Sequence, residues 1–334
     1  MQNTLDFVIT WVDGNDKHWQ KEKNKYTASG LQTDNRNERY RDWDNLRYWF
    51  RGVEQCASWV HKIYFVTWGH IPKWLNTAHP KLQIVKHTDF IPEQYLPTFN
   101  SHTIELNLHR ISGLSENFVY FNDDVFLIRP VTAQEFFRNN LPCDMLALQP
   151  VVSNPANPVM SHIFLNNTLV LSKHFNKREN IKSQWRSYYK PGYPVKYFGY
   201  NLLELAFPLF SGLYTAHGPA PLCKSTYETL WEKEYKVLDT TCSHKFRHCD
   251  DVNQYLLREW QKLSGHFMPF NVCRHFEYFN VSDDNRKLVS AIKKQKKPVI
   301  CINDANDRID FEAAKTEINA AFEAIFPKKS SFER

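Results

Sequence analysis

Four short apolar runs constrain the fold of this chain more than any other feature. They are "LDFVITWVDGND" (5–16), "KIYFVTWG" (62–69), "LQIVKH" (82–87) and "NFVYFNDDVFLI" (117–128), all rich in aromatic and β-branched residues. "DWDNLRYWFRGVEQCA" (42–57) has helical periodicity, with Leu46, Trp49, Phe50 and Val53 on one face. "FNSHTIELNLHRI" (99–111) follows Pro97 and places Ile104, Leu108 and Ile111 on one stripe. Strands alternating with helices at these spacings predict an α/β fold with an open, largely parallel sheet, in which ligands bind at the carboxyl ends of strands.

The fourth run carries Asn122, Asp123 and Asp124 in its middle. A buried carboxylate costs several kcal/mol unless it is compensated, and two adjacent ones also repel. A divalent cation such as Mg²⁺ or Mn²⁺ would compensate them, since both prefer carboxylate oxygens. The alternative is a strand that ends at Phe121, followed by a polar turn.

With 334 residues, 42% of them hydrophobic, the chain can build one large α/β domain or two ordinary ones. It is read as a single unit: a sheet core over 1–135, then a variable segment and a helical part over 136–334. Ten glycines form neither G-x-G-x-x-G nor a Walker-type phosphate loop. The net charge of +6 suits anionic substrates but is too small and dispersed for nucleic acid. "KKQKK" (293–297) reads as solvated surface, with contact to anionic lipid headgroups as the alternative. Seven scattered cysteines with no C-x-x-C pair fit reduced thiols in a cytoplasmic protein. The sequence shows no signal peptide and no spanning segment, so a cytoplasmic protein is expected, free or peripheral at the inner face of the plasma membrane.

Beyond residue 135 the pattern is less regular. "SQWRSYYKPGYPVKYFGYN" (183–201) is aromatic, basic and turn-rich. "PLCKSTYETLWEKEY" (221–235) and "HCDDVNQYLLREWQKL" (248–263) predict helices, and 297–326 predicts a strand, a polar turn and a helix capped by Asp310. The stretch 17–45 reads as polar and partly flexible.

Five polar clusters interrupt apolar segments: "TWVDGND" (10–16), "TFNSHTIE" (98–105), "FNDDVF" (121–126), "AHGPAP" (216–221) and "SHKFRHCDD" (243–251). Each has a structural reading. Asp13-Gly14 suits a tight turn, Asn100 or Ser101 a helix cap, Glu105 a solvated helix position and His217 a loop. Arg247 and Asp251 could pair as i and i+4 on a helix. Each also suits phosphoryl transfer. Carboxylates would hold a cation against a diphosphate, an arginine would grip phosphate oxygens, and a histidine would take a proton near neutral pH.

Read together, these segments resemble the four conserved regions of the Stealth family of capsular and exopolysaccharide phosphotransferases, relatives of the lysosomal-enzyme N-acetylglucosamine-1-phosphotransferase. "DFVITWVDGND" resembles the first region. "RDWDNLRYWFRGVEQCASWVHKIYFVTWGHIPKWLN" with "LPTFNSHTIELNLHRISGLSENFVYFNDDVF" resembles the second, "AHGPAPLCKSTYETL" with "SHKFRHCDDVNQYLL" the third, and "ICINDAND" a reduced fourth. The resemblance implies a GT-A-like nucleotide-binding sheet with a helical C-terminal part. It implies transfer of a sugar 1-phosphate from a nucleotide diphosphate sugar to a hydroxyl of a lipid-linked or oligosaccharide acceptor, stimulated by Mg²⁺ or Mn²⁺. On this basis Asp123 and Asp124 would hold metal, His217 would act as base and Arg247 as phosphate clamp, with Asp13 in the donor pocket. Trp11, Gly14, Arg47, Asn100, Ser101, Glu105, Arg110 and Asn122 would line the substrate site. Two alternatives remain open: a metal-dependent glycosyltransferase that releases nucleoside diphosphate, and a non-catalytic glycan-binding or scaffold protein.

Overall fold

The computed structural model describes all residues except 1–3, 28–32, 35–39, 156 and 305–307. Its principal strands are β1 (Asp6–Thr10), β2 (Ile63–Thr67), β3 (Leu82–Lys86), β4 (Asn117–Phe121), β5 (Val125–Leu127), β6 (Ala220–Cys223), β7 (Phe276–Asn280) and β8 (Val299–Asn303). The helices are α1 (Lys17–Asn24), α2 (Leu46–Cys56), α3 (Ser101–Asn107), α4 (Pro158–His174), α5 (Lys177–Tyr188), α6 (Val195–Glu204), α7 (Lys224–Lys233), α8 (Tyr235–Ser243), α9 (Gln254–Leu263), α10 (Arg286–Lys294) and α11 (Phe311–Ile325).

The main sheet has the order β3-β2-β1-β4-β6, and its first four strands are parallel. The registers Phe7↔Ile63 and Phe7↔Val119 put side chains two apart on the same face. Phe7, Ile9, Phe65, Val119 and Phe121 therefore share one core with Trp49, Phe50 and Val53 of α2. Val8, Tyr64, Val66, Phe118 and Tyr120 share another with Ile104, Leu108 and Ile111. Both faces are covered, so the strands read as continuous rather than alternating apolar runs. Gly52 lets α2 lie against β5: a Cβ there would stand 2.3 Å from the Leu127 carbonyl oxygen.

Several expectations change in the tertiary context. "NFVYFNDDVFLI" is not one strand. It leaves the main sheet at Phe121, turns through Asn122-Asp123-Asp124 and enters a second sheet as β5, antiparallel to β8. "PLC" is not helical but forms β6, antiparallel to β4. α9 begins at Gln254 rather than His248, after an Asn253 cap, so Arg247 and Asp251 do not share a helix. The polar stretch after residue 16 contains α1, which Asp16 caps by accepting a hydrogen bond from the Trp19 amide at 2.8 Å. The rest of the stretch expected to be flexible includes 28–32 and 35–39, which lie outside the described residues, as does the 305–307 end of "ICINDAND". Asp310 caps α11 as expected, with the Ala313 amide donating at 3.0 Å. Lys297 of "KKQKK" is not simply solvated, since its ammonium donates to the Cys273 and Phe276 carbonyls. All seven cysteines are free thiols, and no helix among the described residues is long and apolar enough to cross a membrane.

One buried carboxylate ties the sheet side of the molecule to the later helices. Asp251 is fully buried and accepts hydrogen bonds from Asn100 Nδ2 (2.9 Å), His102 Nδ1 (2.9 Å), His244 Nδ1 (2.7 Å) and the His248 amide (2.9 Å). Burial by itself raises its pKa, but His102, His244 and the His248 amide outweigh that and hold it down at about 2. Because the folded value lies below the ordinary 3.8, this contribution is complete above that value and is lost as pH falls towards about 2. Asp251→Ala strands several buried donors, so denaturant unfolding should show a loss of about 3 kcal/mol or more. Wild-type stability should also fall between about pH 4 and 2 more steeply than that of Asp251→Asn, measured over the same range.

Candidate functional site: a polar cleft at the carboxyl ends of the strands

A cleft of 700 Å³ opens at the carboxyl ends of β1 and β4. Three polar residues occupy the place where the chain passes from one sheet to the other. The Val125 amide closes their turn onto the Asn122 carbonyl at 3.2 Å, and the Ile302 amide of β8 donates to the Asp124 carbonyl at 2.9 Å. The Tyr120 hydroxyl, 3.1 Å from Thr10 Oγ1, donates to Asn122 Oδ1 at 2.6 Å. The backbone of the turn is thus fixed before any ligand enters.

The two aspartates differ in their surroundings. Asp123 is open to water inside the cleft, yet protein surrounds it on the cleft walls. Desolvation by those walls, then the charge of Asp124, pushes its carboxyl up to about 7; Asp42 adds to this and Arg247 opposes it. Asp124 Oδ2 lies 3.2 Å from His217 Nε2 and accepts from Cys301 Sγ at 3.4 Å. Its other oxygen, Oδ1, is buried without a hydrogen-bond partner. Burial and the neighbouring Asp124 charge raise the Cys301 thiol well above its usual value, so it remains a neutral donor. Donor atoms of Asp124, His217 and Cys301 lie within 4.8 Å of one another. An orphaned carboxylate oxygen beside a second, charge-crowded carboxylate fits a hard divalent cation, with imidazole as an acceptable further ligand.

His217 is held by a buried helix. Every residue of α9 is buried, including Arg258, Glu259 and Lys262. Arg258 pairs with Asp144 at 2.9 Å and donates to the Ala216 carbonyl at 2.6 Å. Lys262 donates to the Tyr214 carbonyl at 2.6 Å, and Thr215 Oγ1 donates to Glu259 at 2.9 Å. Residues 214–216 are therefore clamped one after another, and His217 Nδ1 meets the Tyr255 hydroxyl of the same helix at 2.5 Å. Burial keeps that hydroxyl protonated. Arg247 reaches the cleft from a two-residue strand, Arg247–His248, with Nε and Nη2 donating to Ser101 Oγ at 3.2 and 2.8 Å.

Of the residues expected at the site, the cleft wall contains Trp11, Ser101, Glu105, Asn122, Asp123, Asp124, His217 and Arg247. Glu105 is not a solvated helix position: it is buried and accepts from the Gln254 amide at 3.2 Å. Five residues are not on the wall. Asp13 shapes a turn, its carboxylate accepting from the Asn15 amide at 2.9 Å and its own amide donating to His70 Nε2 at 2.7 Å. Gly14 is required by packing, since a Cβ there would stand 1.8 Å from the Tyr40 carbonyl oxygen. Arg47 pairs with Asp44 at 3.0 Å. Asn100 is fully buried as the cap of α3 and a donor to Asp251. Arg110, past the far end of α3, bonds Asn107 and packs over Trp231.

Sequence reasoning missed Asp42, Tyr255 and Cys301. Asp42 stands just before the α2 periodicity and reads there as an ordinary helix-start acid. In the fold it lines the cleft, where burial and the charges of Asp44 and Asp13 raise its pKa. Tyr255 lies in a helix among charged residues that in sequence suit a solvated face, and Cys301 lies in an apolar strand.

Comparison with known proteins places the chain in a family. The profile of Stealth protein conserved region 1 matches residues 4–30, and that of Stealth protein conserved region 2 matches residues 39–144. A capsular polysaccharide phosphotransferase, WcwK, of Streptococcus pneumoniae is 41% identical over 100% of both chains. A receptor polysaccharide phosphotransferase, WefC, of Streptococcus gordonii is 38% identical, again over 100% of both. Among solved structures, the galactosyltransferase LgtC with donor and acceptor sugar analogues covers 95% of this chain and 95% of its own, at 10% identity and a TM-score of 0.40, a likeness too slight to bear on the reading. Matches to both conserved regions and full-length identity at this level establish that the chain belongs to the Stealth family.

Proposed function

We propose that this protein transfers a sugar 1-phosphate from a nucleotide diphosphate sugar to a hydroxyl of a glycan, forming a phosphodiester in capsular or extracellular polysaccharide. The observation that carries the proposal is the convergence of Asp123, Asp124, His217 and Arg247 on one cleft, in a chain whose full-length relatives are named polysaccharide phosphotransferases. The acceptor is a lipid-linked or free oligosaccharide, and the setting is the inner face of the cytoplasmic membrane.

In this reading the acceptor oxygen attacks the phosphorus that bears the sugar. The bond to the other phosphate of the diphosphate breaks, and nucleoside monophosphate leaves. A divalent cation on Asp123 and Asp124 would offset the charge of the diphosphate. Arg247, oriented by Ser101, supplies a planar set of donors to phosphate oxygens. The His217 tautomer that donates from Nδ1 to Tyr255 Oη leaves Nε2 to take the acceptor proton. Trp11 and Glu105, both on the wall, are placed to position the donor. The geometry of Asp124, His217 and Cys301 also favours a second reading of one residue, in which His217 is a cation ligand.

These roles are open to direct measurement. Incubation with nucleotide sugars, Mg²⁺ and an acceptor should give a phosphodiester and nucleoside monophosphate by ³¹P NMR. Release of nucleoside diphosphate would instead identify a glycosyltransferase. EDTA should abolish turnover and Mg²⁺ or Mn²⁺ should restore it, while Asp124→Asn stays folded and loses most activity. His217→Ala should lose about 10²–10⁴-fold in kcat. Calorimetric Mn²⁺ titration of that variant separates the two readings: unchanged affinity fits a base, lost affinity a ligand. Arg247→Ala should weaken donor binding as well as turnover, because its partner is a ground-state phosphate.

A further inference from the structure

We propose that the apolar knuckle formed by α6 and residues 205–209 docks on an anionic lipid bilayer. α6 buries Tyr197, Asn201 and Glu204 and turns Val195, Leu202 and Leu203 to solvent, with Leu203 68% exposed. The chain continues as "LAFPL", in which Leu205, Phe207 and Leu209 are also exposed, Leu209 at 67%. A surface helix of a soluble protein normally points polar residues outward. Here the polar residue Glu204 is inside and the leucines are outside. None of these apolar side chains lines the cleft.

The knuckle is held in place rather than loosely attached. Lys177 and Glu204 form a buried ion pair at 2.7 Å. The same ammonium donates to the Glu204 carbonyl at 2.7 Å and the Leu209 carbonyl at 2.9 Å, and Ser211 Oγ donates to the Glu204 carboxylate. Both ends of the 204–209 segment therefore converge on one cation, and the apolar side chains between them have only the outward direction. Contiguous exposed apolar surface of this kind marks an interaction site.

Charge identifies the partner. Between residues 173 and 209 there are seven Lys or Arg against two Asp or Glu, in a chain whose whole excess is +6. The buried Lys177–Glu204 pair cancels one of each, leaving six against one. Lys182, Arg186 and Lys196 are exposed, Trp185 is itself 55% exposed, and Arg186 lies 5.4 Å from its ring. Leucine and phenylalanine for the acyl boundary, aromatic rings for the headgroup level and basic side chains for lipid phosphates describe an interfacial membrane contact. A second copy would bring two basic surfaces together and be repelled.

The backbone links the knuckle to the cleft wall. Residues 211–212 pair with 149–151 through the Val151 amide to the Ser211 carbonyl and the Gln149 amide to the Gly212 carbonyl, and the next residue, Val152, lines the cleft. Docking would set the cleft mouth near the headgroups, where a lipid-linked glycan emerges. That consequence rests on the phosphotransferase reading, whereas the docking itself does not.

The test is flotation of the full chain, without substrates, on vesicles of phosphatidylcholine alone or mixed with phosphatidylglycerol. Binding to the anionic vesicles is expected, weakened by raised salt and absent from neutral ones. Leu203→Asp with Leu209→Asp should reduce binding by at least about tenfold. Circular dichroism and turnover on a soluble acceptor should show this variant folded and active. Lys182→Gln with Arg186→Gln should lose the preference for anionic lipid, and Arg247→Ala should bind vesicles as wild type does. Failure to bind anionic vesicles, or equal binding by the double aspartate variant, would overturn the proposal. So would a wild-type dimer that this variant converts to monomer, since the knuckle would then be covered by a second copy.

Discussion

The ionised Asp251, sealed from water among donors from two distant parts of the chain, is the interaction on which the site depends. It takes one hydrogen bond from the cap residue of α3, one from the first turn of that helix, and two from the 244–248 segment. A carboxylate in such a place is tolerated only because its oxygens are saturated with donors. The arrangement fixes Ser101 and Arg247 relative to each other, one at the start of α3 and the other on the strand before Asp251. The clamp residue of the proposed chemistry is therefore oriented by a structural charge that never faces the cleft.

A second buried charge system performs the same task for His217. Placing Arg258, Glu259 and Lys262 on a wholly buried helix carries a desolvation cost that apolar residues would avoid. Their partners explain why they are there: the charged groups and their neighbours bind the backbone or side chains of Tyr214, Thr215 and Ala216 in turn. A loop that apolar contacts alone would leave sliding is pinned by directional bonds, and the imidazole at its end acquires a defined position between Tyr255 and Asp124. Pre-organisation of this kind is what a phosphoryl-transfer site needs, because positioning and charge neutralisation carry most of the rate.

At the centre, the electrostatics are deliberately incomplete. Asp124 retains one buried oxygen without a partner, and Asp123 is raised to about 7 by desolvation and by its neighbour. Both conditions would be relieved by one cation together with a diphosphate bearing on Arg247. The charges of the site thus call for a ligand, while its backbone is already set by the turn between the two sheets.

Local pattern was enough to show the parallel α/β sheet, the amphipathic α2 and the Asp310 cap, because burial on both faces leaves a continuous apolar strand and a helix repeats every 3.6 residues. It also exposed the oddity of two aspartates in an apolar run, and quoted motifs carried the family resemblance. It could not show that "NFVYFNDDVFLI" belongs to two sheets, since both halves are equally apolar and only the pairing of Val125–Leu127 with β8 separates them. Nor could it separate residues that touch the cleft from those that build it. Asp13, Gly14, Arg47, Asn100 and Arg110 have the right chemistry, but a turn, a close backbone approach, an ion pair, a helix cap and a stacking contact use them elsewhere. Tyr255 and Cys301 lie within quoted motifs, but neither residue type nor spacing marks them as neighbours of His217 and Asp124. Which side chains meet is decided by contacts between residues up to 177 positions apart, as for Asp124 and Cys301, and such contacts exist only in the folded chain.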